Sequence, residues 1–185
     1  MAQVRQTARQ LRRHFLRAPG IPAERKGQVI QALVLARGLH LGGCWPVLLA
    51  RESRLLKRAI VDTCRPLLGE QPVKRRLPDD EVLTKLGVLR PLRLLSLMRV
   101  QTAIRVAERA PMQVLLLLFE SRSCSRSWIR ALESDLLHLS QAACLSELRG
   151  APIASWFIFF RANPVMAKRV VLKAVKATNW VTQIE

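Results

Sequence analysis

The sequence predicts an all-α protein, and three observations lead to this fold class. Apolar residues recur at intervals of three and four through most of the chain, which is the spacing of one helix face. Pro and Gly interrupt this pattern at intervals that match the length of ordinary helices. Half of the 185 residues are hydrophobic, which is enough to bury the core of one or two domains.

A basic amphipathic helix is predicted at the start of the chain, ending before Pro19. Its apolar face comprises Val4, Ala8, Leu11 and Phe15, and arginines occupy the other face. An arginine-rich start is also typical of a mitochondrial transit peptide, although such peptides are usually rich in Ser and the first Ser here is Ser53.

Two further helices are predicted before residue 69. The first opens at Pro22, and its expected buried stripe comprises Val29, Ile30, Leu33 and Val34. The second covers about residues 50–64 and stops before Pro66. Its expected exposed side is basic and comprises Arg51, Arg54, Lys57 and Arg58.

The second half is predicted to be helical after a basic linker at 70–78. Asp79 or Asp80 is expected to cap the next helix, and Pro91 to help open a helix over 92–108. Residues 112–148 are expected to form a helical hairpin, although the apolar run 114–119 is also compatible with a buried strand. An aromatic patch at 156–160 precedes a helix with Arg169, Lys173 and Lys176 on one face.

The charge of the chain points to a polyanionic partner. The 31 Lys and Arg residues outnumber the 13 Asp and Glu residues, which gives a formal net charge of +18. Residues 1–60 carry a net charge of +10 from 12 basic and 2 acidic side chains. Because such an excess destabilises a compact state by self-repulsion, we expect it to be neutralised by a polyanion, most commonly a nucleic acid.

No catalytic motif is found, and no cofactor is expected, since the sequence has neither a Walker loop nor a dinucleotide-binding fingerprint. Asp79 and Asp80 are the only adjacent pair of aspartates, but no β-branched strand flanks them, so a helix start is preferred to a metal site. Scattered His and Cys residues lack the spacing of a zinc site or of a nucleophile with its base: His40, Cys44, His138 and Cys144. The four cysteines, which include Cys64 and Cys124, are expected to be reduced and mostly buried.

No membrane span is expected, because every uncharged run is shorter than the roughly 18 residues that a spanning helix needs.

Three short motifs resemble a known family. Residues 34–45 read Val-Leu-Ala-Arg-Gly-Leu-His-Leu-Gly-Gly-Cys-Trp. This segment is similar to the one that follows the catalytic palm in non-LTR (LINE-type) retrotransposon reverse transcriptases, with a Val-Leu pair, a Leu, an aromatic residue with Gly, and Thr-Trp. Residues 64–69 resemble the family's Cys-Leu-Arg-x-Ile-Leu-Gly turn, and residues 80–87 its Glu-Val-Leu…Leu-Gly helix. The departures are His40 for the usual Tyr, Leu41 for Gly, and Cys44 for Thr.

The resemblance, which covers roughly residues 3–110, implies a role and a domain organisation. The palm with the family's catalytic aspartates would precede Met1, so the chain would correspond to the thumb, a helical bundle that grips the template–primer backbone, and the region after it. The expected organisation is a basic thumb-like bundle at 1–69, a linker at 70–78, a second helical region at 79–150, and an aromatic patch with a basic helix at 151–185.

The predicted function is therefore non-specific binding of an RNA or DNA backbone by a non-catalytic chain, with an absent polymerase palm as a further partner. The residues predicted to contact phosphates are Arg9, Arg12, Arg13, Arg54, Lys57, Arg58, Arg65, Lys74, Arg75 and Arg76. The alternatives are a structural or interaction protein, a membrane-surface protein that uses residues 156–160 and the basic helix after them, and a reading frame without function.

Overall fold

The computed structural model describes residues 6, 18, 20–35, 39, 41–68, 77–142 and 148–176, with the backbone alone at 141, 142, 175 and 176. Within these ranges the regular structure is helical and contains no strand, so the all-α prediction is confirmed. The α-helices of the described ranges are α1 (Ala23–Val29), α2 (Ala50–Cys64), α3 (Asp79–Lys85), α4 (Pro91–Arg109), α5 (Met112–Glu120), α6 (Trp128–Ala142), α7 (Ile153–Ala162) and α8 (Pro164–Lys176).

The described residues group into two compact units. The first unit comprises those within 1–40 and 49–94, and the second comprises those within 41–48 and 95–185. Helix α4 begins in the first unit and continues in the second.

In the first unit, helix α1 follows Pro22 and passes directly into a π-helix, Ile30–Leu35. The predicted stripe is correct at Ile30 and Val34, which are fully buried. Val29 is only partly buried, and Leu33 is 45% exposed while Leu35 is buried in its place. The reason is the i→i+5 hydrogen bonding of a π-helix, which brings residues four and five apart onto one face instead of residues three and four apart.

Helix α1 lies very close to the turn that ends helix α3. A Cβ atom added to Gly27 would stand 1.7 Å from the backbone oxygen of Leu86, which no side chain can occupy. A second link comes from Gln31, whose Oε1 accepts a hydrogen bond from the backbone N–H of Leu89 at 3.4 Å. Glycine at position 27 is therefore required by close backbone packing.

Helix α2 has the bounds that its apolar spacing and Pro66 predict. The backbone N–H of Leu49 donates to Oε2 of Glu52 at 2.7 Å, which satisfies a donor at the start of the helix. Its inner face is buried and comprises Leu56, Ala59, Ile60, Val61 and Cys64.

The capping prediction for Asp79 and Asp80 is wrong. Helix α3 follows Pro78, and both aspartates lie in its first turn without making a capping hydrogen bond. Their carboxylates are stabilised there by the positive end of the helix dipole and by cationic side chains.

In the second unit, the apolar run 114–119 belongs to helix α5, which excludes the strand interpretation. Only Leu115 of this helix is buried, whereas Met112, Val114, Leu116 and Leu117 are 43% to 65% exposed. Helix α6 follows after the 3₁₀ turn Ser121–Ser123.

The aromatic segment 156–160 lies in helix α7 and forms part of the core. Trp156, Phe157 and Phe160 are at most 3% exposed. The ring of Phe157 meets that of Phe119 edge to face, with 5.3 Å between the ring centroids. These three rings are therefore not available as a surface patch, in contrast to the membrane-surface interpretation.

A buried ion pair joins helices α4 and α6. Arg99 donates from Nε to Oδ2 of Asp135 at 2.5 Å and from Nη2 to Oδ1 at 3.1 Å. The hydroxyl of Ser96 donates to the same Oδ1 at 2.5 Å. Arg99 and Asp135 are 9% and 3% exposed, so water provides little compensation if either partner is removed.

The segment 41–48 packs on helix α4 through Gly43. A Cβ atom at Gly43 would lie 2.1 Å from Oγ1 of Thr102 and 2.7 Å from the backbone oxygen of Met98. The carbonyl of Gly43 accepts a hydrogen bond from the indole N–H of Trp128 at 2.5 Å. The same segment therefore contacts both α4 and the start of α6.

We expect Gly27→Ala to destabilise the protein by about 3 kcal/mol or more, because the added methyl group forces α1 away from Leu86. The control is Gln28→Ala, at an exposed position of the same helix, which should change stability by less than about 0.5 kcal/mol. Urea unfolding followed by circular dichroism measures both. Equal stability of the two variants would contradict the close packing of α1.

Asp135→Asn should cost about 3 to 5 kcal/mol of unfolding free energy, because it leaves the Arg99 charge buried and uncompensated. The double variant Arg99→Met/Asp135→Leu should cost less, since no buried charge remains. Glu133→Gln serves as the control on the same helix: its pair with Arg122 involves a side chain that is 63% exposed, so a loss of at most about 1 kcal/mol is expected. If thermal unfolding shows Asp135→Asn to be at least as stable as Glu133→Gln, the role assigned to the buried pair is wrong.

Candidate nucleic-acid interface

The outer face of helix α2 carries a row of arginines. Arg51, Arg54 and Arg58 follow one another at intervals of three and four, and all three are exposed. Residues with this spacing lie on one helix face, and the row extends over about 10 Å along the axis. The face thus presents three guanidinium groups to solvent.

The remaining predicted contact residues of α2 and its C-terminal turn face helix α3 instead. Nζ of Lys57 lies 3.4 Å from Oδ1 of Asp80. Nη2 of Arg65 donates to Oδ1 of Asp79 at 2.5 Å, and its Nη1 donates to the carbonyl oxygen of Leu77 at 2.8 Å. The Arg65 side chain is only 24% exposed, so it joins α3 to the turn after α2.

Two arginines of the outer row have no acidic partner within the described part of the chain. These are Arg51 and Arg54, while Nε of Arg58 lies 3.8 Å from Oδ2 of Asp62 one turn further on. The Arg58 side chain is 82% exposed, and an exposed pair at this distance contributes little to stability. Arg58 can therefore exchange Asp62 for another anion at small cost.

The sequence prediction missed Arg90, which pairs with helix α3, and its neighbour Arg93. Nη2 of Arg90 lies 3.6 Å from Oδ2 of Asp80. Burial lowers the pKa of Arg93, and the nearby charge of Arg90 lowers it further. No local sequence pattern identifies either residue, since Arg90 contacts Asp80 because of the fold of the first unit and not because of helical spacing.

The structure thus divides the predicted contact residues into three groups. Arg54 and Arg58 are exposed on one face of α2, where Arg51 joins them. Lys57 and Arg65 pair with the first turn of α3. The other predicted residues lie outside the described ranges: Arg9, Arg12, Arg13, Lys74, Arg75 and Arg76.

The carboxylates of Asp79 and Asp80 are engaged by Arg65, Lys57 and Arg90. Among the described residues, no group of three or more His, Cys, Asp or Glu side chains is arranged to hold a metal ion. The acidic pair of α3 therefore has a structural explanation in its ion pairs.

The described cysteines are free thiols with different environments. Cys44 and Cys124 are exposed, so the expectation of mostly buried thiols is wrong for these two, and Cys64 is buried on the inner face of α2. Burial raises the pKa of the Cys64 thiol from 9.0 to about 12. Cys144 and His40 lie outside the described residues.

Comparisons of the chain with protein-family models, with curated proteins and with solved structures find no match. Across the ranges that the structure describes, no helix combines the length and the apolar character needed to cross a membrane.

At mildly alkaline pH a maleimide reagent should modify Cys44 and Cys124 rapidly and Cys64 only after unfolding. The reagent needs an accessible thiolate, and burial both shields Cys64 and, by raising its pKa, keeps the thiol protonated at mildly alkaline pH. Digestion and mass spectrometry assign the label to each site. In denaturant the Cys64 thiol regains an ordinary pKa and should react at the rate of the others. Rapid labelling of Cys64 in the native protein would show that the inner face of α2 is open.

Proposed function

We propose that the protein binds nucleic acid non-specifically, through phosphate contacts made by the outer face of helix α2. The observation that carries the proposal is the row formed by Arg51, Arg54 and Arg58, all exposed, of which the first two have no acidic partner within the described residues. Arginine suits this task because its planar guanidinium group donates two parallel hydrogen bonds to a phosphate.

The arrangement favours backbone contact over base recognition. Reading bases requires side chains that enter a groove, whereas phosphate contacts need only exposed cations along a rigid element. Helix α2 is such an element, since its inner face is held in the core of the first unit by Leu56, Ile60 and Val61. The proposal therefore covers RNA and DNA alike and predicts no sequence preference.

The resemblance to LINE-type reverse transcriptases also supports nucleic-acid binding. Leu41 has a φ of 60°, and among the described residues it is the one non-glycine residue with a positive φ. In the family this position is usually Gly, the residue that tolerates a left-handed backbone best. The backbone at Leu41 thus has the conformation that the family residue suits. A helical bundle with an outer basic face also fits a thumb that grips a template–primer backbone.

On this proposal the chain derives from the thumb region of such a polymerase and has no catalytic role of its own. It would position nucleic acid, and a palm domain would be its natural partner for synthesis.

The triple variant Arg51→Gln/Arg54→Gln/Arg58→Gln should bind a fluorescent duplex of arbitrary sequence at least about tenfold more weakly at low salt. Each lost phosphate contact releases one counterion fewer, so the slope of log affinity against log salt should shrink by about 2.7, or about 0.9 per contact. The loss should be alike for unrelated sequences. Fluorescence anisotropy titrations over a range of salt concentrations measure both quantities.

The matched control is Arg105→Gln/Arg109→Gln/Arg149→Gln, which removes the same charge from exposed positions of the second unit. It should retain most of the affinity and of the salt slope. If both triple variants bind equally weakly, total charge and not the face of α2 determines binding. Absence of duplex binding by the unaltered protein at low salt would refute the proposal.

A further inference from the structure

We infer that helix α8 forms a second anion-binding surface, which fits the headgroup region of an anionic lipid bilayer. This inference is independent of the proposed function, because it concerns another unit and another kind of surface.

One side of α8 is fully packed in the second core. Ala167, Val171 and Ala174 are 1% to 2% exposed and follow one another at intervals of four and three. The helix is therefore held in a fixed orientation. Its opposite side faces solvent in a defined register and needs no folding step to present its residues to a partner.

The solvent side of α8 alternates apolar and cationic residues. Val165, Met166 and Leu172 are 60%, 53% and 49% exposed. The cations on this side are Lys168, Arg169 and Lys173, all exposed. Exposed apolar side chains also occur elsewhere in the chain, but on α8 they lie beside three exposed cations on one helix side, which is the pattern of an interfacial helix.

The charge of this region restricts the partner to an anion. Residues 151–176 contain five Lys and Arg residues and no Asp or Glu. Lys168 is 3.5 Å from Oε2 of Glu108, while Arg169 and Lys173 have no acidic partner among the described residues. A second copy of the chain would bring like charges together, which opposes self-association through this side.

A bilayer surface accommodates both kinds of side chain at once. Apolar residues of an interfacial helix enter the boundary between headgroups and acyl chains to a depth of about 5 to 10 Å, and the neighbouring cations reach the lipid phosphates. A nucleic acid would use Arg169 and Lys173 but leave Val165, Met166 and Leu172 in water. The exposed side is also a convex helix surface, which a fluid bilayer can surround without a preformed groove.

Sedimentation with vesicles tests the inference. The protein should bind vesicles of phosphatidylcholine mixed with phosphatidylserine, and should not bind vesicles of phosphatidylcholine alone. Val165→Ser/Met166→Ser/Leu172→Ser should lower the partition coefficient at least about tenfold, because the apolar contribution is lost while the charge is unchanged. Its affinity for a duplex should stay within about twofold of that of the unaltered protein, and its circular dichroism should show an intact fold.

The matched control is Leu33→Ser/Leu49→Ser/Leu55→Ser, which removes three exposed apolar side chains from the first unit and should leave vesicle binding unchanged. Arg169→Gln/Lys173→Gln should reduce binding by about fivefold for each cation removed. The duplex-defective variant Arg51→Gln/Arg54→Gln/Arg58→Gln should still bind vesicles, which separates a failure of this inference from a failure of the proposed function.

Three results would overturn the lipid assignment. The first is absence of binding to the mixed vesicles at low salt. The second is undiminished vesicle binding by the serine variant, which would make the attraction purely electrostatic. The third is retention on an immobilised acidic polypeptide without any vesicle binding, which would assign α8 to a protein partner.

Discussion

The buried contact between Arg99 and Asp135 is the constraint on which the second unit depends. Two charges removed from water are tolerated only when they are paired and hydrogen-bonded to each other. Here Asp135 accepts two hydrogen bonds from Arg99 and a third from Ser96, which joins α4 to α6. Because these hydrogen bonds are directional, they favour one register of the two helices. The core that includes helices α7 and α8 is assembled on these two helices, so the orientation of the solvent side of α8 follows from an interaction made elsewhere in the unit.

In the first unit, some cationic side chains form ion pairs that hold the unit together, and others are exposed without an acidic partner among the described residues. The carboxylates at the start of α3 engage Lys57, Arg65 and Arg90, and so convert part of a basic sequence into contacts that hold the unit together. Arg51 and Arg54 have no such partner among the described residues and remain available. The excess cationic side chains therefore differ in their availability to a ligand. The acidic residues, although few, determine which cations can meet a phosphate.

The sequence predicts those features of the fold that depend on local spacing. The bounds of α2 and the existence of α4 follow from apolar periodicity and from Pro66 and Pro91, because a helix with one buried face repeats its apolar residues regularly and proline ends or begins it. Contacts between distant segments were not predictable in this way. Asp79 has the pattern of a cap but pairs with Arg65, fourteen residues earlier. Similarly, the aromatic residues of α7 have the same sequence pattern whether they contact lipid or pack against Phe119. In the candidate interface, the sequence predicts the basic face of α2. Only the three-dimensional structure shows that Lys57 pairs with Asp80 while Arg54 has no acidic partner among the described residues.

The packing of Trp128 against Gly43 has a spectroscopic consequence. Trp45, Trp128 and Trp156 belong to the second unit, and the fourth tryptophan, Trp180, also falls within 95–185 but outside the described residues. The first unit contains no tryptophan, and the chain has no tyrosine. Near-ultraviolet emission therefore originates in the second unit, where one indole is hydrogen-bonded to a backbone carbonyl and another is 3% exposed. The first unit is optically silent at these wavelengths. A single chain thus contains its own selective reporter, and an aromatic residue introduced into α1 or α3 would give the first unit a signal of its own.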